Sequence, residues 1–139
     1  MVRVYFASAI ENLSLEEVEA HYVQVAKLLE SREFQMTNRN VQDYYLPQDC
    51  DSITRIREVI ENDLHTLSQS DLLLVDYSIP NRNYVGCTCE IIYAYLWAKP
   101  IVVYVGQSSN GRSPWLRYHA TYVCETVSQA LDYMVKNYT

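Results

Sequence analysis

Glycine is scarce in this chain, with three in 139 residues, at positions 86, 106 and 111. That leaves no Gly-x-x-x-x-Gly-Lys loop and no Gly-x-Gly-x-x-Gly turn, which excludes the two common glycine cradles for nucleotide phosphates. Basic residues are also few. Eleven Lys and Arg against seventeen Asp and Glu leave a net charge of −6. Without a basic patch, neither a nucleic-acid polymer nor an anionic membrane is an expected partner. A small anionic ligand held by one or two local donors is not excluded. No apolar run approaches the roughly 20 residues of a membrane span, and the first residues lack the basic-then-apolar pattern of a secretory signal. Cys50, Cys87, Cys89 and Cys124 include no Cys-x-x-Cys pair, and no histidine is near Cys87-Thr88-Cys89 in sequence. Metal ligation and a redox pair are therefore not expected, and free thiols in a reducing cytoplasm are. Phenylalanine is rare as well, two residues against thirteen tyrosines. Tyrosine joins a flat apolar face to a polar tip, which suits ligand pockets and subunit interfaces.

What is present alternates. Val2-Arg3-Val4-Tyr5-Phe6-Ala7 reads as a first buried strand, and Ser14 with Glu17 makes a capping box for a helix from Leu15 to about Glu30. Phe34 to Thr37 is a weak second strand, and Asn38 to Asp51 a polar surface loop. A second helix follows Asp51-Ser52, with Ile53, Ile56, Val59, Ile60, Leu64 and Leu67 on one stripe. Asp71 to Asp76 has the continuous apolar pattern of a central parallel strand. A third helix opens near Val85 and ends at Ala98-Lys99, before Pro100. Ile101 to Val105 is a fourth strand, Gly106 to Arg112 a flexible polar loop, Thr121 to Val123 a short fifth strand, and Val127 to Tyr138 a closing amphipathic helix. This predicts a single domain over residues 1–139. Its fold class is α/β, a doubly wound, flavodoxin-like (Rossmann-like) sheet of five parallel strands in the order 2-1-3-4-5, with helices on both faces.

In such sheets ligands bind beyond the carboxyl ends of the strands, where strand order reverses. Three stretches converge there. Ala7-Ser8-Ala9, ending the first strand, is small and leaves room for a ligand. Asp76, ending the third strand, lines the crevice or caps the following loop. Gly86 allows a sharp turn and close backbone approach. Glu90 is then expected in the first turn of the third helix, where the dipole favours a carboxylate. Asp63 on the second helix supplies another acid, and Tyr5 on the first strand can reach a carboxylate at a helix mouth. Two carboxyls in different environments are what cleavage of a glycosidic bond requires.

These stretches resemble the nucleoside 2-deoxyribosyltransferase family, together with its relatives that hydrolyse 2′-deoxynucleoside 5′-monophosphates. Val4-Tyr5-Phe6-Ala7-Ser8 is similar to the family's opening strand, and Asn62-Asp63-Leu64 with Ser70-Asp71-Leu72-Leu73-Leu74-Val75 to its helix-strand unit. Gly86-x-x-x-Glu90, Tyr93-Ala94 and Lys99-Pro100-Ile101-Val102 are similar to its nucleophile helix and the strand after it. The resemblance implies an enzyme that breaks an N-glycosidic bond through a covalent glycosyl-glutamate and passes the deoxyribosyl group to an acceptor base. Glu90 would be the nucleophile, Tyr5 would orient it, and Asp63 would contact substrate and help to protonate the leaving base. It implies no cofactor, a small-molecule nucleoside or nucleotide as substrate, and a homo-oligomer in which a neighbour completes the pocket.

The chain also departs from the family. Where many transferases have an aspartate six residues before the nucleophile, to hold a sugar hydroxyl, this chain has Tyr84. Ser113-Pro114-Trp115-Leu116-Arg117 has no asparagine to lend to a neighbour; Arg117 and His119 could reach a neighbour's pocket and supply a positive charge, or be plain surface polar groups. The loop Ala9-Ile10-Glu11-Asn12 has no cation and carries an acid that would repel phosphate. Hydrolysis of a nucleoside monophosphate, with Arg82, Arg112 or Arg117 replacing the absent arginine, and a non-catalytic nucleotide-binding module are the competing expectations.

Overall fold

The computed structural model describes residues 1–10, 13–47 and 49–139. The five strands β1 (Val2–Ser8), β2 (Phe34–Met36), β3 (Leu72–Asp76), β4 (Ile101–Tyr104) and β5 (Tyr122–Cys124) form one sheet in the order β2-β1-β3-β4-β5. All four pairings are parallel, with Tyr5 opposite Leu73 and Ser8 opposite Asp76 in the central pair. The helices are α1 (Leu15–Glu30), α2 (Ile53–Ser68), α3 (Val85–Leu96), α4 (Pro114–His119) and α5 (Val127–Tyr138). The expected architecture and strand order are those observed.

The period-two geometry of a strand sorts the sheet residues between two cores. Val4, Phe6, Leu72, Leu74, Val102 and Tyr104 face α1 and α5, where Val18, Leu29, Leu131 and Met134 are buried. Tyr5, Ala7, Leu73, Val75, Ile101 and Val103 face the other way, against Leu67 of α2, Cys87, Ile91 and Ala94 of α3, and Leu116 of α4. Tyr5 therefore shares a layer with α2 and α3, the helices that carry Asp63 and Glu90. The alternation of side chains along β1 puts it there.

The helix starts follow local chemistry. Ser14 Oγ accepts the Glu17 N–H at 3.1 Å while the Glu17 carboxylate accepts the Ser14 N–H at 3.3 Å. Thr126 and Gln129 form the same reciprocal cap on α5. Ser52 Oγ caps α2 by accepting the Arg55 N–H at 3.3 Å. After α3, Ala98 takes a left-handed φ of 57° and Pro100 follows, so the chain turns into β4. Among the described residues, no helix is long and apolar enough to cross a membrane.

Four local features differ from the sequence expectation. Helix α4 was not expected, although Ser113 caps it and Pro114 starts it; six residues are too few to show a helical period. The loop at 106–112 is tied down, since Ser108 Oγ and Asn110 Nδ2 both donate to the Tyr77 carbonyl, at 2.9 and 2.7 Å. The loop after β2 is not wholly at the surface. Asn38 is buried and brackets Phe6, accepting its N–H at 3.0 Å and donating to its carbonyl at 2.7 Å, so a side chain continues the ladder past β2. On α2, Ile53 and Ile60 point to solvent, and only Val59 and Leu67 are buried.

Candidate active site

At the carboxyl end of β1 a cavity of about 390 Å³ opens between α2 and the start of α3. Tyr5 and Ser8 from β1, Asp63 from α2, and Gly86 and Glu90 from α3 all line it. The strand-helix order, not sequence proximity, brings these residues together.

Glu90 is the sixth residue of α3, which starts at Val85. It lies beyond the first turn, where the dipole effect fades, so the expected dipole stabilisation is replaced by a different environment. Burial pushes the Glu90 carboxyl up to about 7, against the lowering effect of a hydrogen bond from the Tyr5 hydroxyl. Asp63 is pushed up to about 8, first by burial and then by the charge of Glu90. One Asp63 oxygen, Oδ1, is buried with no partner among the described residues. A carboxyl in that position keeps its proton more readily, because an unpaired buried charge is costly. Tyr5 is itself held neutral, raised well above its ordinary value by burial and by Glu90. At neutral pH the two carboxyls can therefore hold a single proton, with the Tyr5 hydroxyl donating to the Glu90 anion.

Gly86 does not need glycine's conformational freedom, since it is helical. A Cβ added there would meet nothing within 4 Å, so its missing side chain leaves open space in the cavity wall. The left-handed turn residue of the preceding loop is Asn81, at φ 59°.

The remaining candidates sit elsewhere. Ala7 is packed in the core between β1 and α3. Asp76 and Tyr84 border a separate hollow of about 90 Å³ that shares Ser8 and Ala9 with the main cavity. Asp76 Oδ2 lies 3.1 Å from His21 Nε2, and its Oδ1 accepts the Ser78 N–H at 2.8 Å. Burial would raise the Asp76 carboxyl, but the bonds from His21 and Ser78 outweigh it and hold it below its ordinary value. The Tyr84 hydroxyl is engaged with Ile79, donating to its carbonyl at 2.7 Å and accepting its N–H at 3.2 Å. Tyr84 thus braces its own loop, with its ring 4.3 Å from that of Tyr77. Arg117 is exposed on α4, away from the cavity lining. The Glu11-Asn12 part of the loop after β1 lies outside the described residues.

Several lining residues had no assignment from sequence. Tyr22, a repeat position of α1, hydrogen-bonds Ser8 and is raised by burial and then by Glu90. Tyr44, Leu46 and Pro47 from the loop after β2, Ile56 from α2, and Asn83 complete the wall. The tyrosine excess was the available signal for Tyr22 and Tyr44. Ile56 was marked only as part of the apolar stripe of α2, and Leu46, Pro47 and Asn83 carry no mark in the sequence. Cys87 also lines the cavity, but burial and Glu90 raise its thiol, so it is not a nucleophile at neutral pH. Among the described residues, no group of three or more His, Cys, Asp or Glu could hold a metal ion.

Solved structures match over nearly the whole chain. A 2-deoxyribosyltransferase from Bacillus psychrosaccharolyticus superposes with a TM-score of 0.69 at 19% identity, covering 99% of this chain and 93% of that one. A conserved protein from Enterococcus faecalis V583 follows at 0.66 and 14% identity, covering 100% and 99%. The CMP N-glycosidase of Clostridium botulinum matches at 0.60 and 15% identity, covering 99% of each chain. The chain has their fold. No family model matches its sequence, and no curated protein does.

Proposed function

We propose that this protein cleaves the N-glycosidic bond of a 2′-deoxynucleoside and transfers the deoxyribosyl group to an acceptor base. The observation that carries this reading is the Tyr5, Glu90 and Asp63 cluster in one cavity, with both carboxyls pushed up into the neutral range. The resemblance in sequence and the fold shared with a deoxyribosyltransferase and a CMP N-glycosidase support it.

In the first step the Glu90 carboxylate attacks C1′, an oxygen–carbon bond forms, and the carbon–nitrogen bond to the base breaks. Asp63 donates its proton to the departing base, which is a poor leaving group as an anion. In the second step a nitrogen of the acceptor base attacks C1′, the bond to Glu90 breaks, and the Asp63 carboxylate takes the proton that the acceptor loses. Two displacements at C1′ give retention of configuration. Tyr5 holds Glu90 by its hydrogen bond and compensates part of the carboxylate's charge before attack.

An unphosphorylated substrate is favoured over a monophosphate. No lysine, arginine or histidine is among the described residues lining the cavity, which carries two carboxyls. The protein works as a homo-oligomer in this reading. Tyr93 and Leu96 on α3, Trp97 just past its end, and Trp115 and Tyr118 on α4 stand exposed, and a helix apolar on several sides needs cover.

Chromatography of deoxynucleosides and deoxynucleoside monophosphates, incubated with and without an acceptor base, tests the proposal. A new nucleoside supports it. Free base with free sugar, independent of acceptor, replaces transfer with hydrolysis. Turnover of monophosphates alone overturns the substrate assignment, and binding without turnover makes the protein a nucleotide-binding module.

A further inference from the structure

A second cavity, of about 690 Å³, lies across α3 from the first. Residues of α3 divide between the two. Gly86, Cys87 and Glu90 line the first, while Thr88, Ile91 and Ile92 line the second, and no described residue lines both. The second cavity forms where the segments after β3 and β4 meet, with Tyr77 and Tyr84 from one and Ser109, Asn110 and Arg112 from the other. It therefore opens outside the carboxyl ends of the strands, the side on which parallel sheets hold ligands.

Its walls are tied in place. Ser108 and Asn110 both donate to the Tyr77 carbonyl, the Tyr77 hydroxyl is 3.0 Å from Thr88 Oγ1, and the rings of Tyr77 and Tyr84 are 4.3 Å apart. From α4, Trp115 and His119 present rings only 10° from parallel, and His119 Nδ1 is 2.7 Å from the Trp115 carbonyl oxygen. Walls fixed in this way reduce the ordering cost of binding.

The two cavities differ in charge. Asp63 and Glu90 line the first, whereas the described residues lining the second include Arg112 and His119 and no acid. Arg112 makes no ion pair or hydrogen bond among the described residues. An arginine so placed offers a planar fork of donors to a carboxylate or phosphate. Tyr77, Tyr84 and Trp115 beside it offer flat faces on which a ring can stack. Arg112 was one of the arginines expected to serve a phosphate at the first cavity; it lines the second instead.

We propose that the second cavity binds a small ligand in which one anionic group is joined to a flat aromatic ring, the anion on Arg112 and the ring against the tyrosine and tryptophan faces. The site goes beyond the glycosidic reaction and is independent of it, since none of its residues belongs to the Tyr5, Asp63 and Glu90 cluster. Nucleotides and aryl carboxylates share this chemistry.

Calorimetric titration of the wild-type protein with adenosine 5′-monophosphate and with 2-naphthoate tests the site and separates the two sources. Binding of the first alone assigns it to nucleotides, of the second alone to aryl carboxylates, and of both to ring-bearing anions in general. Inorganic phosphate, which has no ring, should bind at least roughly tenfold more weakly than the probe that binds. A saturating 2′-deoxynucleoside should leave the probe's affinity unchanged, because it fills the other cavity. Arg112→Gln, at an exposed position, should weaken binding by roughly tenfold. Ile92→Trp, which fills the cavity from α3, should abolish it; should that variant fail to fold, Arg112→Gln decides. No binding of either probe, displacement by the deoxynucleoside, or unchanged affinity in Arg112→Gln overturns the site. Each of these outcomes leaves the glycosidic reaction standing, because the chromatographic assay tests that separately.

Discussion

The charge on Glu90 helps to keep the proton on Asp63. The two residues come from different helices, α3 and α2, and meet only where both open onto the end of β1. Burial raises both carboxyls, to about 7 for Glu90 and about 8 for Asp63, and the Tyr5 hydroxyl partly offsets the rise at Glu90 alone. The pair is therefore divided into an acid that ionises first and an acid that holds its proton. Nucleophilic attack with protonation of a leaving group requires that division.

Glu90→Gln keeps the side-chain volume and removes the attacking oxygen's charge. Base release should fall about a thousandfold or more, a barrier increase of roughly 4 kcal/mol. The wild-type protein mixed with a 2-fluoro-deoxynucleoside should gain the mass of the fluorosugar, mapped to Glu90. Full activity in the variant, or an adduct on another residue, removes Glu90 as the nucleophile.

The rate should depend on pH as a bell. On the acid side kcat/KM rises as Glu90 ionises, and on the alkaline side it falls as Asp63 loses its proton, with the maximum between about 7 and 8. Tyr5→Phe removes the hydrogen bond that lowers Glu90, so the acid limb should move to higher pH and the maximal rate should fall by roughly tenfold. An acid limb unmoved by Tyr5→Phe would show that the hydroxyl does not act on the nucleophile.

Stability should follow the same two groups with a definite sign. The folded pKa values are raised, so between about pH 4 and 8 the folded state binds more protons than the unfolded chain. The stabilisation is complete below about pH 4 and is lost as pH rises to about 8. Asp63→Asn removes its share, so the variant's unfolding temperature should vary less across this window and exceed that of wild type at pH 8. Base release should drop with ordinary nucleosides, while a substrate with an activated leaving group should still load Glu90. A lower unfolding temperature than wild type at pH 8 would contradict the buried, unpaired state of Asp63.

The exposed aromatic surface of α3 and α4 should mediate self-association. Trp115 is 79% exposed, Leu96 70% and Tyr118 69%. Light scattering at micromolar protein is expected to give at least a dimer mass, and Trp97→Glu with Trp115→Glu should reduce it to a monomer. A monomer mass for wild type refutes the association outright.

Much of this architecture is written in local patterns. Leu72-Leu73-Leu74-Val75 has the pattern of a strand covered on both faces, and Ser14 with Glu17 sets the start of α1 by bonds within four residues. Pro100 bars the preceding helix from running on into β4, although α3 already stops at Leu96. Such features depend on backbone geometry and short-range bonds, so a single chain suffices to read them. The resemblance of three short stretches to a known family singled out Glu90, Asp63 and Tyr5, and the structure brings the three to one cavity.

The sequence by itself determined the fold class and the strand order, and it pointed to three residues that line one cavity. Tertiary structure alone decided their surroundings. It put Glu90 past the first turn of α3, so burial and the Tyr5 hydroxyl set its proton affinity where the helix dipole had been expected to. It bonded Tyr84 to Ile79 and left Asn83 on the cavity wall. It also gave Asp76 to His21, a residue 55 positions away. Desolvation and the choice of hydrogen-bond partner depend on which distant segments pack against a group, and one-dimensional spacing carries no record of that.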